Sequence, residues 1–138
     1  MIERKYVEYE LAKGKKDICI VCNCKNAETL NTFLCSDVRP FEEWIKSDFD
    51  KVLSGEIISK EISGNVCCAE INFKNTKIYN MLIEDDDEYY ETCCEVDTKE
   101  LRQLIDEWCD KVREFKMSIT TKPREYPKVC VNLQTDVR

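Results

Sequence analysis

Glu56-Ile-Ile-Ser-Lys-Glu-Ile-Ser63, Val66-Cys-Cys-Ala-Glu-Ile-Asn-Phe73 and Lys77-Ile-Tyr-Asn-Met-Leu-Ile-Glu84 are three short runs, separated by Gly64-Asn65 and Lys74-Asn75-Thr76. Both separators have turn chemistry at hairpin length, which predicts three successive antiparallel strands. In the middle run Cys67, Ala69, Ile71 and Phe73 share one face, opposite Cys68, Glu70 and Asn72. Such a sheet has an apolar face to cover, and the flanking segments supply the cover. Upstream, Phe41, Trp44, Ile45, Phe49, Val52 and Leu53 fall on one face of a helix over 37–54, with Pro40 in its first turn and Gly55 as its stop. Downstream, an acidic connection leads to a fourth strand of this set at 89–96. Asp97-Thr98-Lys99-Glu100 then has the residues of a helix start, capped by Asp97 or Thr98. Leu101, Leu104, Ile105, Trp108, Val112 and Phe115 mark the buried stripe of that helix to about residue 116.

Before this unit, Val7, Tyr9 and Leu11 alternate with Tyr6, Glu8 and Glu10, the period-2 pattern of a strand. Lys13-Gly14-Lys15 reads as a hairpin turn into a second strand at 17–24. Residues 25–35 contain Leu30, Phe33 and Leu34 without clear caps and stay unassigned. After Met117, Thr120-Thr121-Lys122-Pro123-Arg124 does not continue a helix, and 126–133 reads as either an edge strand or a tail. The order predicts an α+β fold: a single antiparallel sheet of five to six strands with two amphipathic helices on one face. One domain spans 1–116, followed by a C-terminal tail, 117–138.

Composition narrows function by exclusion. The 138 residues contain no histidine, which removes imidazole bases, Ser-His and Cys-His nucleophiles and imidazole metal sites. Gly14, Gly55 and Gly64 are too far apart for either common phosphate-binding loop. Paired carboxylates could still do acid–base work, but no isolated pair stands out among the 28 acids. The chain reads as a non-enzyme without a cofactor. The N-terminus lacks the apolar core of a secretory signal, and no apolar run approaches the ~18 residues of a membrane span. The expected location is cytoplasmic.

Ten cysteines fit reduced thiols used as small core hydrophobes. Cys19-Ile20-Val21-Cys22 is formally a C-x-x-C, and Cys24 extends it. On a strand, however, Cys19 and Cys22 point to opposite faces, which suits neither a zinc knuckle nor a redox pair. No metal site is assigned. The competing reading is a zinc-binding adaptor built on Cys19, Cys22, Cys24 and one later thiol.

Charge is the most informative property. The chain carries a net charge of −7, yet residues 84–100 alone hold nine acids against one lysine, and the other 121 residues sum to +1. The centre of this segment is Glu84-Asp85-Asp86-Asp87-Glu88-Tyr89-Tyr90-Glu91. Contiguous like charges repel, so they belong at a surface where water and salt screen them. One reading is a solvated turn that protects a sheet edge. The other is a contact surface, since tyrosines beside carboxylates match basic clefts by charge and by apolar contact. Calcium-loop spacing is absent. These eight residues are the candidate partner-binding site, and their charge disfavours direct contact with nucleic acid.

Arg39-Pro-Phe-Glu-Glu-Trp44 opening a helix into a hairpin sheet, and Val96-Asp-Thr-Lys-Glu-Leu101 to Asp106-Glu-Trp-Cys-Asp-Lys-Val112 closing the domain, span about 37–116. On these stretches the chain resembles the immunity proteins of bacterial polymorphic-toxin and contact-dependent growth inhibition systems. The resemblance implies one-to-one inhibition of a cognate toxin domain. A nuclease is the class best matched, because its phosphate-binding cleft is basic. The family shares no catalytic motif, so no residue role is carried over.

Overall fold

The computed structural model describes residues 1–121; the candidate strand at 126–133 and Cys130 lie outside them. The order is β1 (Glu3–Glu10), β2 (Lys16–Asn23), α1 (Ala27–Phe33), a π turn (Leu34–Val38), α2 (Glu42–Leu53), β3 (Ser59–Ser63), β4 (Cys67–Asn72), β5 (Asn75–Asn80), α3 (Asp86–Glu91), β6 (Cys94–Asp97) and α4 (Thr98–Thr121). The fold is α+β, as expected, but the strands form two antiparallel sheets: a β1–β2 ribbon and a four-stranded sheet in the order β3-β4-β5-β6.

The expected single sheet fails for a local reason. The far edge of β2 is taken up by side chains instead of another strand: Cys22 N donates to Asn31 Oδ1 at 2.8 Å, and Arg39 Nη1 donates to the Ile18 carbonyl at 3.3 Å. Those contacts occupy part of the far edge of β2, and among the described residues no strand other than β1 pairs with it. Helices α1 and α4 lie between the sheets and touch both.

Several boundaries also differ, among them the strand expected at 77–84 after a turn at 74–76, which as β5 starts at Asn75 and ends at Asn80. The unassigned stretch at 25–35 forms α1 and enters the π turn. The helix expected over 37–54 becomes α2 only from Glu42. The strand expected at 89–96 is divided between α3 and β6. Helix α4 runs to Thr121, past residue 116, and Asp97 supplies its cap, accepting from Glu100 N at 2.9 Å.

The core is built from Cys67, Ala69 and Ile71 of β4, Ile78 of β5, and the inner stripes of the helices, with Phe49 and Trp108 fully buried. Trp108 Nε1 donates to the Leu34 carbonyl at 2.7 Å, satisfying the one polar atom of its indole. The other tryptophan corrects its expected core role: Trp44 is 74% exposed. In β1 the face turned to the protein carries Arg4 and Tyr6, while Val7, Tyr9 and Leu11 are exposed. Tyr6 stacks on Trp108, and both Arg4 and Tyr6 hydrogen-bond Glu107 of α4. A paired polar contact with a ring stack decides that face over simple hydrophobicity.

Asp37 has a separate structural role. The π turn aims its carboxylate, completely buried, at the turn between β3 and β4. It accepts from the N–H groups of Asn65, of Val66 at 3.1 Å and of Cys67 at 2.8 Å.

Candidate functional site

The acidic segment is a short helix laid on the outer face of the four-stranded sheet. Asp85 caps α3 by accepting from Glu88 N at 2.9 Å, and Asp86, Asp87 and Glu88 occupy its first turn. There the free N–H groups and the helix dipole favour negative charge, which offsets part of the mutual repulsion. A sequence signal for this helix existed in the Asp85-x-x-Glu88 spacing.

Tyrosines hold α3 in place. Tyr89 stacks on Tyr79 of β5 with centroids 5.0 Å apart and planes 10° from parallel. Its hydroxyl lies 3.2 Å from Cys68 Sγ on β4. Burial raises the ionisation of both Tyr79 and Tyr89 above the ordinary phenol value, with the Cys68 contact adding to the effect at Tyr89. Both therefore remain neutral packing groups. Tyr90 meets Tyr79 and Tyr89 edge-on and is 66% exposed. Tyr89 thus serves as the internal anchor, and Tyr90 is the aromatic ring offered to solvent.

None of Glu84, Asp85, Asp86, Asp87, Glu88 and Glu91 forms an ion pair among the described residues, whereas the acids that face α4 or lie on it, such as Glu42, Asp50, Asp106 and Glu107, are paired. The contrast is sharpest between α2 and α4. There Lys46 bridges Glu42 and Asp106, Arg102 bridges Asp50 and Asp106, and Arg113 reaches Glu42.

The sheet enlarges the acidic face in a way the sequence reading missed. Register aligns Glu61, Glu70, Lys77 and Glu95 across β3, β4, β5 and β6 on the outer side. Glu61 directly faces Glu70, a like-charge pair that costs stability. A groove of 780 Å³ beside α3 is lined by Tyr79, Tyr90, Glu91, Cys93, Glu95 and the flanking Lys25 and Lys77, among others. Finding Glu61, Glu70, Tyr79 and Glu95 required the strand register, because they are scattered over 35 positions of sequence.

Among the described residues the cysteines form no comparable centre. Cys22 faces inward and Cys19 lies on the opposite side of β2. Burial pushes the Cys22, Cys67 and Cys94 thiols up to about 12, which disfavours the thiolates a metal needs. Among the described residues no three Cys, Asp or Glu side chains converge where they could hold a metal ion. Nor is any described helix long and apolar enough to cross a membrane.

No family model matches the chain, and no solved structure matches it. It is, however, 37% identical to a curated protein of Bacillus cereus named "Immunity protein", over 87 residues that make up 63% of this chain and 72% of that relative. With that share of the relative covered at that identity, the chain belongs to the immunity proteins.

Proposed function

We propose that this protein is a stoichiometric inhibitor, not an enzyme, that binds a basic toxin domain through the outer face of the β3–β6 sheet, with α3 at its centre. The observation that carries this reading is the row of unpaired carboxylates on α3 beside the exposed ring of Tyr90. The carboxylates steer a basic partner toward the face and fix its orientation. Tyr90 then packs against the partner as an anchor, in a position where alanine scans of interfaces find aromatic hot spots. The toxin class that best complements such a face is a nuclease, whose cleft is basic because it binds phosphates. Occupying that cleft one-to-one excludes the substrate without any chemistry by the inhibitor. A cytoplasmic location would place the inhibitor where a delivered nuclease acts.

The test takes a basic nuclease toxin domain as the candidate partner and measures its binding by titration calorimetry, and its association rate by stopped flow, with the wild-type chain and with the Asp86→Lys/Asp87→Lys double variant. The expected result is one-to-one binding, with the double variant associating at least tenfold more slowly at low salt and the gap narrowing as salt rises. Equal association rates for both proteins would remove α3 from the interface. An absence of binding by the wild-type chain would remove that toxin domain as the partner.

A further inference from the structure

We propose that the groove between α2 and the free edge of β3 is a second contact surface for the same toxin, taking an extended segment that adds to β3 as a strand and lays a lysine or arginine over Trp44. This rests on the immunity reading above and extends it to a surface that the acidic segment does not include.

Trp44 is the first observation. On α2 the side chains of Glu42, Lys46 and Asp50 turn toward α4, where they find their ion-pair partners. Trp44 lies on the opposite side of the helix, by the 100° advance per residue, and so faces β3. Its ring is stacked on Phe41, with centroids 6.0 Å apart and planes 1° from parallel. That stack pre-orders the indole while leaving its other face open. A large ordered aromatic exposed at this level is the side chain most often found at the energetic centre of interfaces.

The second observation is the edge. β3 pairs with β4 alone, so the far side of Ser59–Ser63 presents unpaired backbone groups among the described residues. Between that edge and α2 is a groove of 310 Å³, lined by Phe41, Trp44, Asp48, Glu61 and Ile62, with Gly64 at its end. An incoming strand would satisfy the backbone of β3 and place alternate side chains in this groove.

Charge selects the occupant. Asp48 and Glu61 have no ion-pair partner among the described residues, and Asp37 is already taken up by backbone N–H groups. Among the described residues Lys60 is the single cation lining the groove. A lysine or arginine from the partner would meet the indole face and the Asp48 carboxylate together, while an alternate residue of the added strand would lie beside Glu61 on the outer side. A second copy of this chain fits worse, because β3 pairing with itself about Glu61 sets Glu61 against Glu61.

Position completes the case. Ser63, Cys68 and Tyr79 are lateral neighbours on three adjacent strands, so the groove's Ser63 end is about 10 Å from Tyr79 at the usual strand spacing. Tyr89 of α3 covers Cys68 and Tyr79. One partner can therefore reach both surfaces.

The experiment titrates the same toxin domain with the wild-type chain, Trp44→Ala and Asp48→Lys, and follows amide hydrogen exchange at 59–63 with and without toxin. Expected are at least tenfold weaker binding for each variant, an unchanged thermal midpoint for Trp44→Ala, and protection of the β3 amides in the complex. If the wild-type chain binds but both variants stay within twofold and 59–63 gains no protection, the groove is not a contact surface, while the acidic-face reading stands. Failure of the wild-type chain to bind would remove both readings for that toxin. A dimer in analytical ultracentrifugation that Trp44→Ala dissolves would assign the groove to a second copy and overturn the proposal.

Discussion

A β-carbon placed on Gly64 would stand 2.6 Å from Asp37 Cγ, inside the contact distance of any two carbons. The carboxylate cannot retreat, because three backbone N–H groups of the β3–β4 turn fix it in place. Gly64→Ala should therefore lower stability by about 1 to 3 kcal/mol. Asp37→Ala should cost more, about 3 kcal/mol or above, since it leaves several turn N–H groups without an acceptor. Urea denaturation of the two variants checks the order; an Asp37→Ala midpoint equal to wild type would show that the turn holds without its carboxylate.

The acidic row on the outer face makes an opposite prediction. Glu61→Lys would turn the Glu61–Glu70 repulsion into an attractive cross-strand pair and should raise stability by about 0.2 to 1 kcal/mol. The same change should weaken toxin binding. A variant that is more stable and a poorer inhibitor would mark Glu61 as retained for recognition; a loss of stability would refute the electrostatic account of this row.

The two tryptophans should separate cleanly in fluorescence. Trp108 is fully buried and Trp44 is 74% exposed, so acrylamide should quench one emitting population readily and the other barely. Trp44→Ala should abolish the readily quenched population and change stability by less than about 1 kcal/mol. Trp108→Ala should cost about 3 to 5 kcal/mol by opening the core. Uniform quenching of the wild-type protein would contradict the assigned burial.

Acid should destabilise the fold through four identified carboxylates. The Arg4 hydrogen bond, aided by Tyr6, holds Glu107 below its ordinary ionisation value despite some burial. At Glu42, Asp106 and Asp17, burial pushes upward, but hydrogen bonds from Lys46 and Arg113, from Arg102 and Lys46, and from Arg39 outweigh it. Because their folded values are depressed, the stability they contribute is fully present above their unfolded values of 4.5 for Glu and 3.8 for Asp. It is lost as pH falls through the folded values. Urea midpoints measured from pH 7 down to pH 3 should hold steady to about pH 5 and then decline. Glu107→Gln should cost about 1 to 2 kcal/mol at pH 7 and flatten part of that decline; an unchanged slope would exclude the Arg4–Glu107 pair as a source.

Period and turn chemistry made β3 to β5, the α4 stripe and its Asp97 cap legible from the sequence, because those elements are governed by local rules. The division into two sheets was not legible. It depends on Asn31 and Arg39 reaching the backbone of β2, contacts between segments whose proximity no spacing announces. Trp44 misled for a related reason: it shares a helical face with Ile45 in projection, but α2 has one side for α4 and the core and another for solvent beside β3. The acidic segment was visible as charge, and its helical form was readable in Asp85 and Glu88. Its extension through Glu61, Glu70 and Glu95 required strand register.

The mounting of α3 has a wider consequence. The helix follows β5 in the chain and is held by its tyrosines and backbone, Tyr89 seated on Tyr79 and Cys68, Tyr90 edge-on to Tyr79, and the Glu91 carbonyl accepting from Asn26 Nδ2, while among the described residues no carboxylate side chain of α3 serves as a tether. Every acid on it can be exchanged without disturbing a core side chain or an internal ion pair. If α3 is the contact surface proposed above, specificity and foldability are uncoupled there: exchanging the acids of one helical turn would retarget the protein while leaving its stability intact.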